Sequence, residues 1–77
     1  MIIALIPAHD EQFSIAEVIL KTRKNVQLVI VIDDGSTDNT FRLANDCADI
    51  VIRHWKKFGL AESMQDGVRE ALRNHPD

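Results

Sequence analysis

Residues 28–40 read LVIVIDDGSTDNT. The five apolar residues Leu28 to Ile32 run without a polar interruption and are mostly β-branched, the pattern of a strand covered on both faces, as in a parallel sheet. Two carboxylates, Asp33 and Asp34, follow directly, and Gly35 marks a sharp turn. The acids therefore stand at the carboxyl end of a strand, the edge where open α/β sheets collect ligands. Strand neighbours point to opposite sides, so the two acids have different jobs. One can accept from the N–H groups of Gly35 to Asp38 and organise the turn. The other can reach over the sheet edge toward a ribose hydroxyl or a base N–H. Turn chemistry alone is the plainer reading of such a pair.

Outward from this stretch the same strand pattern recurs twice. Residues 2–6, IIALI, form one apolar run that Pro7 stops, and residues 49–52, DIVI, form a shorter one. Helical spacing fills the gaps. Ser14-Ile15-Ala16-Glu17 has the S-x-x-E form of a capping box, with Ile15, Val18 and Ile19 behind it and Lys21, Arg23 and Lys24 in the last turn. A second helix is expected to start near Thr37 or Asp38 and to bury Phe41, Ala44 and Cys47 or Ala48. A third begins after Gly59, puts Leu60, Met64, Val68, Ala71 and Leu72 along one stripe, and ends near Asn74 because Pro76 cannot continue it. The order β-α-β-α-β-α implies a parallel sheet with right-handed crossovers. Three strands are few for such a sheet, and the chain reads as the first half of a doubly wound domain.

Seventy-seven residues make one small domain, 1–77, or a piece of a larger one. A core of that size is marginal alone. A net charge of −3 with interspersed signs argues against a nucleic-acid partner, which wants a basic face. The lone Cys47 fits a reducing cytoplasm, and its place on the buried stripe of the second helix makes it core rather than nucleophile. The opening MIIALIPAHDE lacks the basic flank and long apolar run of a secretory signal, so a cytoplasmic location is expected, with membrane association only in a longer parent protein.

Three loops fall at the carboxyl edge. Pro7-Ala8-His9-Asp10-Glu11 leaves the first strand extended, so its backbone can meet a planar ring, His9 can stack on it, and Glu11 or Asp10 can accept from ring N–H groups. It reads equally as an ordinary polar strand-to-helix loop. Arg53-His54-Trp55-Lys56-Lys57-Phe58-Gly59 follows the third strand; a lysine there can pair with pyrophosphate near a helix N-terminus, or the loop is simply basic and solvated. Ser36 has no activating partner in its sequence context. There is no C-x-x-C, H-E-x-x-H or D-x-D, so nothing here builds a metal site unaided.

Taken together, IPAHDE, the S-x-x-E helix, VIVIDDGSTDNT and IRHWKKFGLAESMQDGV resemble the N-terminal half of the inverting family 2 glycosyltransferases, with dolichyl-phosphate mannose synthase-like members the nearest pattern. The resemblance covers almost the whole chain in order. It implies a three-layer, Rossmann-like parallel sheet, the first half of the GT-A nucleotide-diphospho-sugar transferase fold. It implies that Pro7, Ala8, His9 and Glu11 line a base pocket, and that Asp34, with Asp33 as second choice, contacts the uridine or guanosine part of a UDP-sugar or GDP-sugar. Relatives carry Asn-x-Gly-x-Gly where this chain has Lys57-Phe58-Gly59-Leu60-Ala61, which leaves Lys57 or Lys56 as the phosphate-side candidate. The family's D-x-D, which holds Mg²⁺ or Mn²⁺, and its carboxylate general base have no counterpart in these residues. The resemblance thus implies nucleotide-sugar binding without turnover. A sugar nucleotidyltransferase would need a glycine-rich loop where PAHDEQF has none, a dinucleotide-binding oxidoreductase would need G-x-G-x-x-G, and a phosphoacceptor module would need an acceptor Asp after the third strand. A non-catalytic, self-associating module remains the rival of another class: a homodimer is expected through an exposed sheet edge or exchanged elements.

Overall fold

Side-chain parity along one buried strand organises the molecule. The computed structural model describes residues 1–74, and the Pro76 stop lies outside them. Strands β1 (Ile3–Ala8), β2 (Leu28–Asp34) and β3 (Ile50–His54) alternate with helices α1 (Ile15–Thr22), α2 (Thr40–Cys47) and α3 (Leu60–Asn74). The strands form one parallel sheet in the order β1-β2-β3, with Ile3 opposite Leu28 and Ile30 opposite Ile50. This is the three-layer, Rossmann-like β-α-β-α-β-α architecture expected from the sequence.

On central β2, Val29 and Val31 turn to one face and join Ala8, Ile15, Ile19 and Ala44 in a buried cluster under α1 and α2. Ile30 and Ile32, fully buried, turn to the other face, where α3 crosses. Each buried aliphatic side chain contributes about 1.5–3 kcal/mol. Helix α3 approaches closely because Gly67 faces the sheet: a Cβ there would lie 2.9 Å from Ile32 Cδ1.

Several local expectations are corrected. Pro7 lies inside β1 rather than ending it; among the described residues β1 pairs only with β2, and a proline is tolerated where the missing N–H falls on a free edge. Ser14 precedes α1 without a side-chain cap bond, and Glu17 pairs with Lys21 at 2.9 Å instead of reaching back. Helix α2 starts at Thr40, later than expected, because the Asp38 carboxylate accepts the Thr40 N–H at 2.9 Å and holds the preceding residues in turns. Phe41 and Cys47 are only partly buried, and Thr40 takes the inward position. The α3 stripe is not the buried one. Ser63 and Gly67 face the sheet, while Leu60, Val68 and Leu72 are exposed. Among the described residues, no helix is long and apolar enough to cross a membrane.

Candidate functional site

The GSTDNT segment is a clasp between the two loops that leave β1 and β2. The Asp10 N–H donates to Ser36 Oγ at 2.9 Å, and the Glu11 N–H to buried Thr40 Oγ1 at 2.7 Å. In return, Asp10 Oδ1 accepts the Thr37 N–H at 2.8 Å, and Gln12 Oε1 accepts that of Asn39 at 3.2 Å. Asp10 pays for this with a φ of 51°, a left-handed conformation that Asp tolerates better than most residues. The short polar side chains after the acids thus fix the loop that carries His9 and Glu11.

Parity separates Asp33 from Asp34. Asp33 shares the face of Val29 and Val31; it is fully buried, and its Oδ1 accepts the Ser36 N–H at 3.2 Å. Its Oδ2 has no hydrogen-bond partner among the described residues and lies 3.8 Å from Arg53 Nε, whose guanidinium also covers the Phe41 ring. Asp33 therefore organises the turn. Asp34 shares the face of Ile30 and Ile32, at the mouth of a cleft of about 200 Å³ lined by Pro7, Ala8, His9, Glu11, Lys57, Leu60 and Ser63. Six of the seven residues singled out in the sequence meet there; Asp33 stands apart.

The Asp34 carboxylate is heavily engaged. Its Oδ1 accepts from His54 Nδ1 at 2.9 Å and from the Phe58 N–H at 2.8 Å, and its Oδ2 accepts the Gly59 N–H at 2.9 Å. Burial pushes its pKa upward, but the bonds from His54, Phe58 and Gly59 and the His54 charge outweigh that and hold it at about 2, below the ordinary 3.8. It is ionised at neutral pH. An ionised carboxylate offers about four acceptor positions, so three donors leave roughly one, on Oδ2, for a ligand N–H or O–H. Gly35 lets the loop close over this acid: its φ is 71°, and a Cβ there would stand 2.3 Å from the Lys56 carbonyl carbon. His9 Nδ1 donates to the Asp34 carbonyl at 2.7 Å, which orients the ring at the cleft wall.

Two participants escaped the sequence reading. Ser63, in the first turn of α3, lines the cleft with a buried Oγ that has no partner among the described residues. His54, 6% exposed, bridges Asp34 to Asp66 Oδ2, the latter at 2.6 Å. The small pair Ser63 and Gly67, four residues apart, was the available sign that this face meets the sheet. Nothing in the spacing announced His54.

Among the described residues no three His, Cys, Asp or Glu side chains converge to hold a metal. Glu11 and Asp34 both line the cleft, but Asp34 is already committed to His54 and the loop amides. These residues do not fit the Mg²⁺ or Mn²⁺ that the family resemblance implies.

The family model for glycosyl transferase family 2 matches residues 3–74. The chain belongs to that family. It is 34% identical over 76 residues to uncharacterized protein MJ0544 of Methanocaldococcus jannaschii, covering 91% of this chain and 33% of that protein. It is 33% identical over 76 residues to uncharacterized protein MJ1222 of the same organism, covering 97% of this chain and 31% of that one. The family 2 chain thus spans about a third of the length of the curated relatives it matches. No solved structure matches it.

Proposed function

We propose that the cleft holds the nucleoside end of a UDP-sugar or GDP-sugar, and that the chain is the nucleotide-binding portion of an inverting glycosyltransferase acting on a lipid phosphate or glycan. Ionised Asp34 accepts from the base or ribose through its remaining position on Oδ2, the His9 ring stacks on the base, and Glu11 accepts at its rim. Exposed Lys57 is the cation on the diphosphate side. The observation that carries the reading is an ionised, pre-aligned carboxylate at the carboxyl edge of a parallel sheet, in a chain of this family. At about 200 Å³ the cleft is smaller than the ~300–1,000 Å³ that enclose a drug-sized ligand, so it suits one end of a nucleotide sugar.

The lack of a D-x-D in these residues favours binding without turnover; Mg²⁺ or Mn²⁺ would serve a longer relative, and the dolichyl-phosphate mannose synthase-like subtype is the favoured one. Titration calorimetry with UDP, GDP and their sugars tests the reading. Saturable heat with at least one supports it, and no heat with any of them in a folded sample refutes it. Exposed Leu60, Val68 and Leu72 on α3, together with the edge position of β1 in the sheet, favour a second property, homodimer formation through that edge or by exchanged elements. Light scattering that gives a clean monomer at high concentration contradicts it.

A further inference from the structure

We propose that His54 is the positioning residue of the cleft: as an imidazolium it clamps Asp34 of β2 to Asp66 of α3, and loss of its proton opens the clamp and weakens ligand binding. The inference deepens the nucleotide-binding reading and rests on it.

The argument begins with donors and acceptors. His54 Nδ1 lies 2.9 Å from Asp34 Oδ1, and Nε2 lies 2.6 Å from Asp66 Oδ2. Ionised carboxylates only accept, so both ring nitrogens must donate, and only the protonated ring has two N–H groups. The side chain is 6% exposed, so water does not readily replace either partner. Every element packed around the ring contributes to the balance. Strand β2 supplies Asp34. Helix α3 supplies Asp66, itself shared with Arg69 Nη1 at 3.0 Å. The following loop lays the Phe58 ring against the imidazole, with centroids 4.7 Å apart, and sends Lys56 over the Trp55 and Phe58 rings and Lys57 to the cleft. On its own strand, Arg53 turns to the opposite face, toward Asp33. Two carboxylates against one buried imidazolium favour the charged ring. Burial works against it, but the bonds and charges of Asp34 and Asp66 prevail and raise its pKa above the ordinary 6.5.

Asp34 Oδ1 is the shared point, because it accepts from both His54 and the Phe58 N–H. When the ring is neutral it keeps one N–H for two carboxylates, and one carboxylate then faces a bare nitrogen lone pair. The strain falls on Asp34, on residues 55–59, and on the first turns of α3 with Ser63. Of these segments, Asp34, Lys57, Leu60 and Ser63 line the cleft as one wall. Ligand affinity and the order of that wall are therefore full below pH 6.5 and fall as pH rises through the elevated pKa of His54.

The test combines two measurements on the chain across roughly pH 5 to 9, the span in which histidine titrates. Ring NMR signals report the His54 midpoint and amide signals of Phe58 and Gly59 report the wall. Calorimetry with UDP and with GDP reports affinity. In the wild type, His54 is expected to titrate above 6.5, the two amides to move with it, and affinity to fall roughly tenfold through the same midpoint, within the range usual for coupled sites. Asp66→Asn, which removes one of the two carboxylates, moves both midpoints to lower pH; titration of the nucleotide phosphate is common to both proteins and cancels. A midpoint at or below 6.5, amides that ignore the ring, or an affinity profile unchanged by Asp66→Asn overturns the inference while leaving the binding reading intact. High-pH titration coupled to the amides, with no nucleotide bound at any pH, upholds the clamp and refutes the binding reading. Should Asp66→Asn not fold, the wild-type ring and amide titrations decide alone.

Discussion

Replacing Gly35 by alanine forces a methyl group into the backbone of the loop that holds Asp34. At φ 71° a non-glycine residue costs about 1–2 kcal/mol in backbone strain. The new Cβ would also stand 2.3 Å from the Lys56 carbonyl carbon, 2.4 Å from the Lys57 nitrogen and 2.8 Å from the Lys56 Cα. These are backbone atoms and cannot rotate aside, so the loop must move, at a further cost of about 1–3 kcal/mol typical of overpacking. The total, roughly 2–5 kcal/mol, is a large share of the ~4–12 kcal/mol that a domain of this length holds. Gly59→Ala is the control: its φ is 104°, but an added Cβ meets nothing within 4 Å, which leaves a backbone cost of about 1–3 kcal/mol. Urea unfolding of the two variants against the wild type reads both costs. Gly35→Ala is expected to lose more and to displace the Phe58 and Gly59 amide signals. A loss no larger than that of Gly59→Ala would refute the close approach of the two loops.

Three further outcomes follow from the same geometry. Thr40→Val leaves the Glu11 N–H without its acceptor at 2.7 Å and is expected to cost about 1–3 kcal/mol in urea unfolding, with faster amide exchange at Glu11. Because the Asp34 pKa is depressed to about 2, its contribution to stability is complete above 3.8 and lost as pH falls through about 2; Asp34→Asn, with the buried pair broken at a cost of about 3–5 kcal/mol, should lack that acid limb in denaturation midpoints measured against pH. Gly67→Val drives a branched side chain against Ile32 Cδ1, already 2.9 Å from a bare Cβ, and is expected to lower the thermal midpoint, whereas an unchanged midpoint would mean that α3 does not sit so close.

The architecture was legible because β2 is apolar at every position from Leu28 to Ile32, and only a strand covered on both sides tolerates that. The division of labour between Asp33 and Asp34 followed from strand parity, although which acid faced the cleft depended on where α3 packs. That was misread. Periodicity favoured the apolar stripe of Leu60, Val68 and Leu72, but the sheet needed small residues for close approach and took Ser63 and Gly67 instead. Capping failed for a related reason. Glu17 had Lys21 one turn away, and the start of α1 is fixed by the Ser14 and Ile15 amides on the Glu11 carbonyl, at 3.1 and 2.9 Å. His54 was invisible, since its partners lie 20 and 12 residues away and meet only after the crossovers form.

The central claim is that the cleft around Asp34 receives a nucleoside, and amide chemical-shift mapping of the labelled chain with UDP and GDP tests it most directly. Saturable shifts at Ala8, His9, Glu11, Phe58, Gly59 and Ser63 are predicted with at least one nucleotide. No shift with either, or shifts confined to the α1 and α2 face of the sheet, would contradict it.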